Sequence, residues 1–385
     1  MKDTRKPRVL LFTQQLVGLG TRKTGMVFWA ETFAKLGFET SVVTTQLSYI
    51  SKVFNPQRFQ ALGAEPMNKW VRRGAIDTFI WVPWVHPVRA PRPWMNASSE
   101  WLLSAYASLL DKEICRVAAE ADIIVIESCA AVALFERLKR AAPKAQFVYC
   151  ASDRLAQVGM HPGLQKTLTS TASRYDLIRV PSPLMKGDFA VEADYIPHGV
   201  EKSVFDELPG RSHGDERKSA IVAGDMAFDE VAVRTLVHSF PDIEFHFFGR
   251  MNLAEFRGKA NVVIHGEVPF EVLAGFVKRA DVGIAPYQFH PGLDYLAESS
   301  LKLHQYTYCR LPTVAPIFAK GGRDHVFGYT PGSAASVVEA MKLALTHDRG
   351  TIDNSQILGW TAVVQQVLGR LGADQPCASD TDVAR

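Results

Sequence analysis

Cysteine is scarce in this chain and is not arranged for metal or disulfide chemistry. The five cysteines (Cys115, Cys129, Cys150, Cys309 and Cys377) are scattered, odd in number and without a CxxC pair. That pattern excludes a zinc knuckle or a disulfide framework and suits a reducing cytoplasm. Neither sign of charge dominates: 43 Lys+Arg against 40 Asp+Glu leave a net charge of +3. A chain so nearly neutral is not built to neutralise a phosphate backbone, so nucleic acid is not an expected partner. Histidines 86, 161, 198, 290, 304 and 325 form no HxH or HExxH arrangement, and no DxD motif stands at a strand end. No metal and no cofactor are expected. Long hydrophobic runs are missing as well. The start, MKDTRKPRVLLFTQQ, is basic, but its apolar stretch is short and soon polar. It reads as a first β-strand rather than a signal peptide or membrane span.

What is present is a repeating alternation. At 385 residues, with 47% hydrophobic and 22% charged side chains, the chain has room for two globular domains. In the first half, strands are expected at Val9–Thr13, Thr40–Thr45, Ile123–Glu127, Phe147–Ala151, Leu177–Val180 and Tyr195–Ile196. Helices are expected at Met26–Leu36, Trp101–Ala119 and Ala130–Arg140. After a polar linker, Ser203–Lys218, the pattern restarts. Strands fall at Ala220–Ala223, Glu244–Phe248, Val262–His265 and Val282–Ala285, and helices at Glu230–Ser239 and Phe270–Lys278. Continuous apolar strands between amphipathic helices predict parallel sheets covered on both faces. The architecture is therefore α/β, two Rossmann-like doubly wound parallel-sheet domains facing across a cleft where ligands bind. The first spans 1–200 and the second 201–355, and a polar tail, 371–385, is expected to be disordered.

One stretch of the second half carries phosphate chemistry. A helix is expected to begin near Ser299 and Ser300 with Lys302 in its first turn, and Leu311-Pro312-Thr313-Val314 opens another strand. Free N–H groups at a helix start, two hydroxyls and a cation suit a phosphate. Gln305, one turn on, is placed to reach a sugar attached to it. A nucleotide sugar fits such a site. A second stretch breaks the pattern: five of the seven tryptophans (Trp70, Trp81, Trp84, Trp94, Trp101) lie within Trp70–Trp101, among Arg72, Arg73, Arg89 and Arg92. Aromatic and basic residues on an exposed loop suit a bilayer interface, and core packing is the alternative.

Several segments resemble those of the GT-B glycosyltransferases: Ile196-Pro197-His198-Gly199-Val200-Glu201 as the hinge, Val262–Gly266 with Glu267-Val268 as the base segment, and Gln305–Pro312, with Gln305 in the ribose-binding frame. A Trp360-containing helix, within 356–370, matches the segment that crosses back to the first domain. A closer resemblance rests on Glu127-Ser128, Ala151-Ser152-Asp153, Gly224–Asp229, Ile284–Tyr287, Ser299–Leu303 and Phe327–Gly332. These are similar to the GumK family of inverting glucuronosyltransferases of exopolysaccharide assembly. The resemblance implies transfer of glucuronic acid from UDP-glucuronate to a polyprenyl-diphosphate-linked oligosaccharide. The enzyme would be cytoplasmic and peripheral on the inner membrane face, with the acceptor in the first domain and the donor in the second.

The resemblance also implies roles. Asp153 matches the catalytic base, and Met226, Glu267, Tyr287, Leu301, Lys302 and Gln305 match positions around the donor nucleotide. The chain departs from the family at Cys150, where the motif carries arginine, at Arg154, where it carries glycine, and at Leu301, where it carries methionine. An aspartate at position 153 also suits a helix cap. Arg250, Lys302 and Arg323 are candidates to read the donor carboxylate. His161 and His198 are placed near the cleft or serve the fold. Gly18-Leu19-Gly20 with Arg22 and Lys23 forms either a turn for the carrier's diphosphate or a plain surface turn. Other classes stay open: a transferase of another UDP-sugar, a UDP-sugar 2-epimerase-like enzyme, or an inactive nucleotide-sugar-binding partner.

Overall fold

The computed structural model describes residues 5–18, 23–45, 47–54, 56–60, 62–210 and 217–373. Leu19, Gly20 and Arg22 of the Gly-rich turn, the middle of the linker and the tail beyond Ala373 lie outside the described residues.

Residues 8–195 form an eight-stranded sheet. Its strands are β1 (Arg8–Thr13), β2 (Glu39–Thr44), β3 (Trp70–Arg73), β4 (Ile76–Ile80), β5 (Ile123–Glu127), β6 (Gln146–Cys150), β7 (Leu177–Val180) and β8 (Asp194–Tyr195). Their order is β3-β4-β2-β1-β5-β6-β7-β8. Only β3 against β4 is antiparallel. The central strands explain the fold: all five residues of β5, Ile-Ile-Val-Ile-Glu, are buried. A β-branched run with no polar face has to be covered on both sides, which is the parallel arrangement. A second sheet holds β9 (Ser219–Ala223), β10 (Glu244–Phe248), β11 (Val262–Gly266), β12 (Val282–Ile284), β13 (Thr313–Pro316) and β14 (Val326–Tyr329). Their order is β11-β10-β9-β12-β13-β14, and every pairing is parallel. Two doubly wound sheets are as the sequence leads one to expect, but the antiparallel β3–β4 edge and β14 are not among the expected strands.

The last helix, Trp360–Leu371, packs on the helix Gly25–Lys35 of the first sheet's layer. Phe28 and Trp360 stack there at 5.4 Å, and Gln146 Nε2 donates to the Leu371 carbonyl at 2.7 Å. Gly199 permits this return. A Cβ there would lie 2.8 Å from the Trp360 backbone, so any other residue would push the crossover helix away. Among the described residues no helix is long and apolar enough to cross a membrane.

Several local expectations are corrected. Trp101–Ala119 is not one helix but two, Trp101–Ser108 and Lys112–Ala119, because Asp111 caps the second by accepting from Glu113 N–H. Ala130–Arg140 begins as a 3₁₀ segment, Ala130–Leu134, before an α-helix from Phe135. Trp70–Trp101 is not one exposed loop. Trp70 lies in the β3–β4 hairpin against Phe79, Trp81 is buried against Tyr106, and Arg72 and Arg73 pair with Asp77 and Glu65. Trp84, Trp94 and Trp101 are 68%, 65% and 63% exposed.

Candidate functional site

Two adjoining cavities open between the sheets, at the carboxyl ends of the strands, as the doubly wound fold requires. One, of about 170 Å³, lies against the second sheet and is lined by Gly224, Gly249, Glu267, Leu301, Lys302 and Gln305, among others. The other, of about 240 Å³, adds Glu127, Ser152 and Asp153 of the first sheet to Met226, Tyr287, Ser299 and Ser300 of the second. Lys23, Gly224, Leu301 and Lys302 line both. Asp153, Met226, Glu267, Tyr287, Ser299, Ser300, Leu301, Lys302 and Gln305, the residues matched in the sequence to the base and the donor nucleotide, all line these joined cavities, whereas Arg250 and Arg323 do not.

Local chemistry places each one. Ser300 is the N-cap of the helix Leu301–Tyr308. Its Oγ accepts from Leu303 N–H and lies 2.5 Å from the Tyr287 hydroxyl. That engagement changes the reading of two residues: Ser300 and Tyr287 brace the helix start, while the buried Ser299 Oγ has no hydrogen-bond partner among the described residues. An orphaned buried hydroxyl at a helix start is the feature an anion would satisfy. Lys302 extends over the Tyr287 ring, with Nζ 4.8 Å from its centroid. Gly224 stands beside it, its φ of +83° the reason for a glycine there; a Cβ would lie in ordinary contact, 3.5 Å from Lys302 Nζ. Gln305 and Glu267 flank the smaller cavity, and Glu267 accepts from Arg250 Nε at 2.7 Å.

Asp153 follows β6 at the sheet's carboxyl edge. No helix starts there, since the next helix, Pro162–Thr171, is capped by His161. The capping alternative for Asp153 is thereby removed. Burial pushes its carboxyl pKa up to about 7; the Tyr295 hydrogen bond opposes this and the Glu127 charge adds to it. Tyr295 Oη, from the second half, donates to Asp153 Oδ1 at 2.8 Å. Oδ2 takes no hydrogen bond from the described residues. Glu127 is buried too. Thr13 Oγ1 donates to it at 2.5 Å, and burial raises its pKa against hydrogen bonds from Thr13, Gln14 N–H and Ser152.

The remaining candidates sort by position. His198 lines the larger of the joined cavities. Burial and the Arg179 guanidinium hold its pKa well below the usual imidazole value. His161 does not reach the site: its ring accepts from Gly163 N–H and meets Asn96 O and Ser99 Oγ. Of the cations proposed for the donor carboxylate, Arg250 pairs with Glu267. Arg323 pairs with Glu298 and lines a separate cavity of about 560 Å³. Lys302 stays. Lys23, read in the sequence only as part of a glycine-rich turn, lines both joined cavities and pairs with Glu31 at 3.2 Å and Glu271 at 3.4 Å. Arg154 points away from the Asp153 carboxyl, to Asp188 at 2.7 Å and Asp294 at 2.9 Å. Sequence reasoning assigned no catalytic or donor role to Glu127 or Tyr295, and took Lys23 only as part of a turn for the carrier's diphosphate or a plain surface turn. The signals for Glu127 were its place in the Glu127-Ser128 resemblance segment and its acidic side chain closing an apolar strand.

Residues 11–181 match the family model for the glucuronosyltransferase GumK, N-terminal domain. A curated relative, the UDP-glucuronate:glycolipid 2-beta-glucuronosyltransferase of Xanthomonas campestris pv. campestris, is 33% identical over 304 residues, 78% of this chain and 75% of the relative. The chain belongs to the GumK glucuronosyltransferase family. It is a glycosyltransferase. Solved structures share the fold at low identity. Sucrose-phosphate synthase from Thermosynechococcus elongatus superposes with a TM-score of 0.64 at 14% identity, covering 95% of this chain and 98% of that one. The Anabaena protein HepE, solved with UDP and glucose, gives 0.63 at 12%, covering 95% and 99%. A putative UDP-N-acetylglucosamine 2-epimerase from Listeria monocytogenes gives 0.51 at 12%, covering 97% and 99%. Both reaction classes thus occur on this fold, and it is membership of the GumK family that separates them.

Proposed function

We propose that this GumK-family enzyme moves glucuronic acid from UDP-glucuronate to a polyprenyl-diphosphate-linked oligosaccharide, with inversion and without a metal. The observation that carries this reading is the placement of Asp153 and Lys302, from opposite sheets, in one cavity. Asp153 takes the proton of the acceptor hydroxyl as its oxygen attacks the anomeric carbon. The bond from that carbon to the UDP oxygen breaks on the opposite face, so the linkage inverts. Lys302, the Ser299 hydroxyl and the N–H groups of the helix start receive the charge that develops on the diphosphate. Gln305 and Glu267 are placed for the ribose and Met226 for the sugar's approach. Among the described residues no group of three or more His, Cys, Asp or Glu could hold a metal ion, and Lys23 and Lys302 line both joined cavities, where that charge would develop.

Donor identity rests on the relative's name and on charge. Lys23 and Lys302 are the lysines that line both cavities, so a C6 carboxylate meets a cation that a C6 hydroxyl would not need. In a screen of UDP-sugars reading UDP release, UDP-glucuronate is expected to be preferred. Faster turnover with UDP-glucose would overturn the donor assignment and leave the fold untouched.

A lipid-linked acceptor needs a membrane-facing surface. Tyr49, Ile50, Val53 and Trp84 form one exposed apolar group on the first half, with Tyr49 and Trp84 5.1 Å apart. Trp94, Met95 and Trp101 add further exposed apolar side chains from the helices 93–98 and 101–108. Such side chains suit a bilayer interface, and we place the enzyme peripherally on the inner membrane face. Liposome co-sedimentation with anionic vesicles is expected to fall severalfold for Trp84→Ala/Trp94→Ala, with UDP affinity unchanged. Equal sedimentation of wild type and variant would return these tryptophans to a packing role.

A further inference from the structure

Arg154 stands where the family motif carries glycine, and its guanidinium ties the two halves together. Nη1 donates to the Gly292 carbonyl at 2.7 Å and to Asp294 Oδ1 at 2.9 Å. Nε and Nη2 hold Asp188 of the first half at 2.7 and 3.1 Å. Gln157 Nε2, one turn away, donates to the Pro291 carbonyl at 3.0 Å. The segment so gripped, 291–295, comes from the second half. Gly292 is at φ +86°, which lets the chain turn back so that Leu293, Tyr295 and Leu296 pack into the hydrophobic cluster containing Leu155, Met160 and Leu164. The Arg154 guanidinium also lies 5.2 Å from the centroid of the Tyr295 ring. All of this converges on one hydrogen bond, from Tyr295 Oη to Asp153 Oδ1 at 2.8 Å.

We propose that Tyr295 is a positioning residue for the transfer: presented from the donor half and clamped by Arg154, its phenol fixes the Asp153 carboxylate with Oδ2 left for the acceptor hydroxyl. The base is then in working order only while the two halves are docked through segment 291–295. The phenol can act only as donor here. Burial first, and the Asp153 charge second, raise its pKa, so it keeps its proton. A donor to the ionised carboxylate favours that form. Without it, the carboxyl would hold its proton to higher pH and be free to rotate toward other partners. The groups that face Asp153 across the cavity are Glu127 from β5, His198 from the hinge, Lys23 before the first helix, and Tyr287, Tyr295 and Lys302 from the second half. Of these, Tyr295 is the one that hydrogen-bonds to its carboxylate.

This inference rests on Asp153 being the base, and the test separates the two. kcat and the donor KM are measured against pH by varying the donor, for wild type, Tyr295→Phe, Arg154→Gly, Arg154→Lys and Asp153→Asn, with UDP affinity by calorimetry as the check on folding. Tyr295→Phe is expected to lower kcat about tenfold, to leave donor KM and UDP affinity within about twofold, and to move the acid limb of kcat to higher pH. Arg154→Gly is expected to move the limb the same way, and Arg154→Lys to restore part of it. An unshifted acid limb and wild-type kcat in Tyr295→Phe, beside a silent Asp153→Asn, would overturn the positioning role and keep the base. An active Asp153→Asn would overturn both.

Discussion

Asp153→Asn is expected to lower turnover by about 10²–10⁴-fold, the usual worth of a general base, while UDP binds as in wild type. The amide keeps the shape of the carboxyl and can still meet Tyr295, but it cannot take a proton from the acceptor. The pH profile carries a second signature. Burial and Glu127 hold the wild-type carboxyl near 7, so kcat should rise with pH through that value, and the residual rate of Asp153→Asn should not. Stability is expected to move in the opposite sense. A carboxyl whose folded pKa lies above its ordinary 3.8 is ionised in the unfolded chain first, so its ionisation costs the fold stability as pH rises from about 4 to about 7. The asparagine is spared that cost. Its melting temperature should exceed wild type by several degrees at pH 8, with the difference shrinking toward pH 4. Wild-type turnover in this variant would remove Asp153 from the reaction, and equal melting temperatures at pH 8 would show that the carboxyl is not held under strain.

The parts of this arrangement differ in how far the sequence discloses them. Apolar runs bounded by glycine and proline disclosed β9, β10, β11 and β12 to within a residue, and the helix Glu230–Ser239 has the expected bounds; β14 and the helix Ala334–Thr346 behind it escaped notice. The first half was harder where side chains served two purposes. The hairpin of Trp70–Arg73 and Ile76–Ile80 places aromatics and arginines on an antiparallel edge, which reads like a loop because one strand face is wet. Helix Pro162–Thr171 has a proline at its start and a polar body, Gln165-Lys166-Thr167, and escaped notice. At the site the division is sharper. Lys302 and Gln305 share the helix Leu301–Tyr308, so helix spacing places them together, and Ser299 stands just before its cap. Glu127, Lys23 and Tyr295 come from segments far apart, and only the strand order and the docked segment 291–295 bring them to Asp153. Their side chains look like ordinary strand, turn and loop residues until burial is known. The swap of arginine and glycine around the Ala-Ser-Asp motif also changed meaning. Arg154 does not stand beside the base as a charge; it grips the opposite half.

Lys302→Ala is expected to be the most damaging change on the donor side. Lys302 lies in the first turn of the helix Leu301–Tyr308, between the two joined cavities. Its ammonium is held over the Tyr287 ring and beside Gly224, at the point where the nucleotide cavity meets the one that holds Asp153. The diphosphate of a donor spanning both cavities has to pass this point. The charge on its leaving oxygen grows as the anomeric bond breaks, so a fixed cation stabilises the transition state more than the ground state. Removing one such group typically lowers kcat by about 10²–10³-fold, and UDP affinity should also fall, more steeply at low salt than at high. Lys302→Arg keeps the charge on a differently shaped head, so binding should survive better than catalysis. Calorimetry with UDP and UDP-glucuronate, beside single-turnover rates, resolves the two losses. The Tyr287–Ser300 bracket gives an internal comparison: Tyr287→Phe removes one hydrogen bond at the helix start while leaving the ring under the ammonium. Its loss should therefore be the smaller by about tenfold or more. Unchanged UDP affinity in Lys302→Ala would place the diphosphate elsewhere, with Lys23 as the cation next in line.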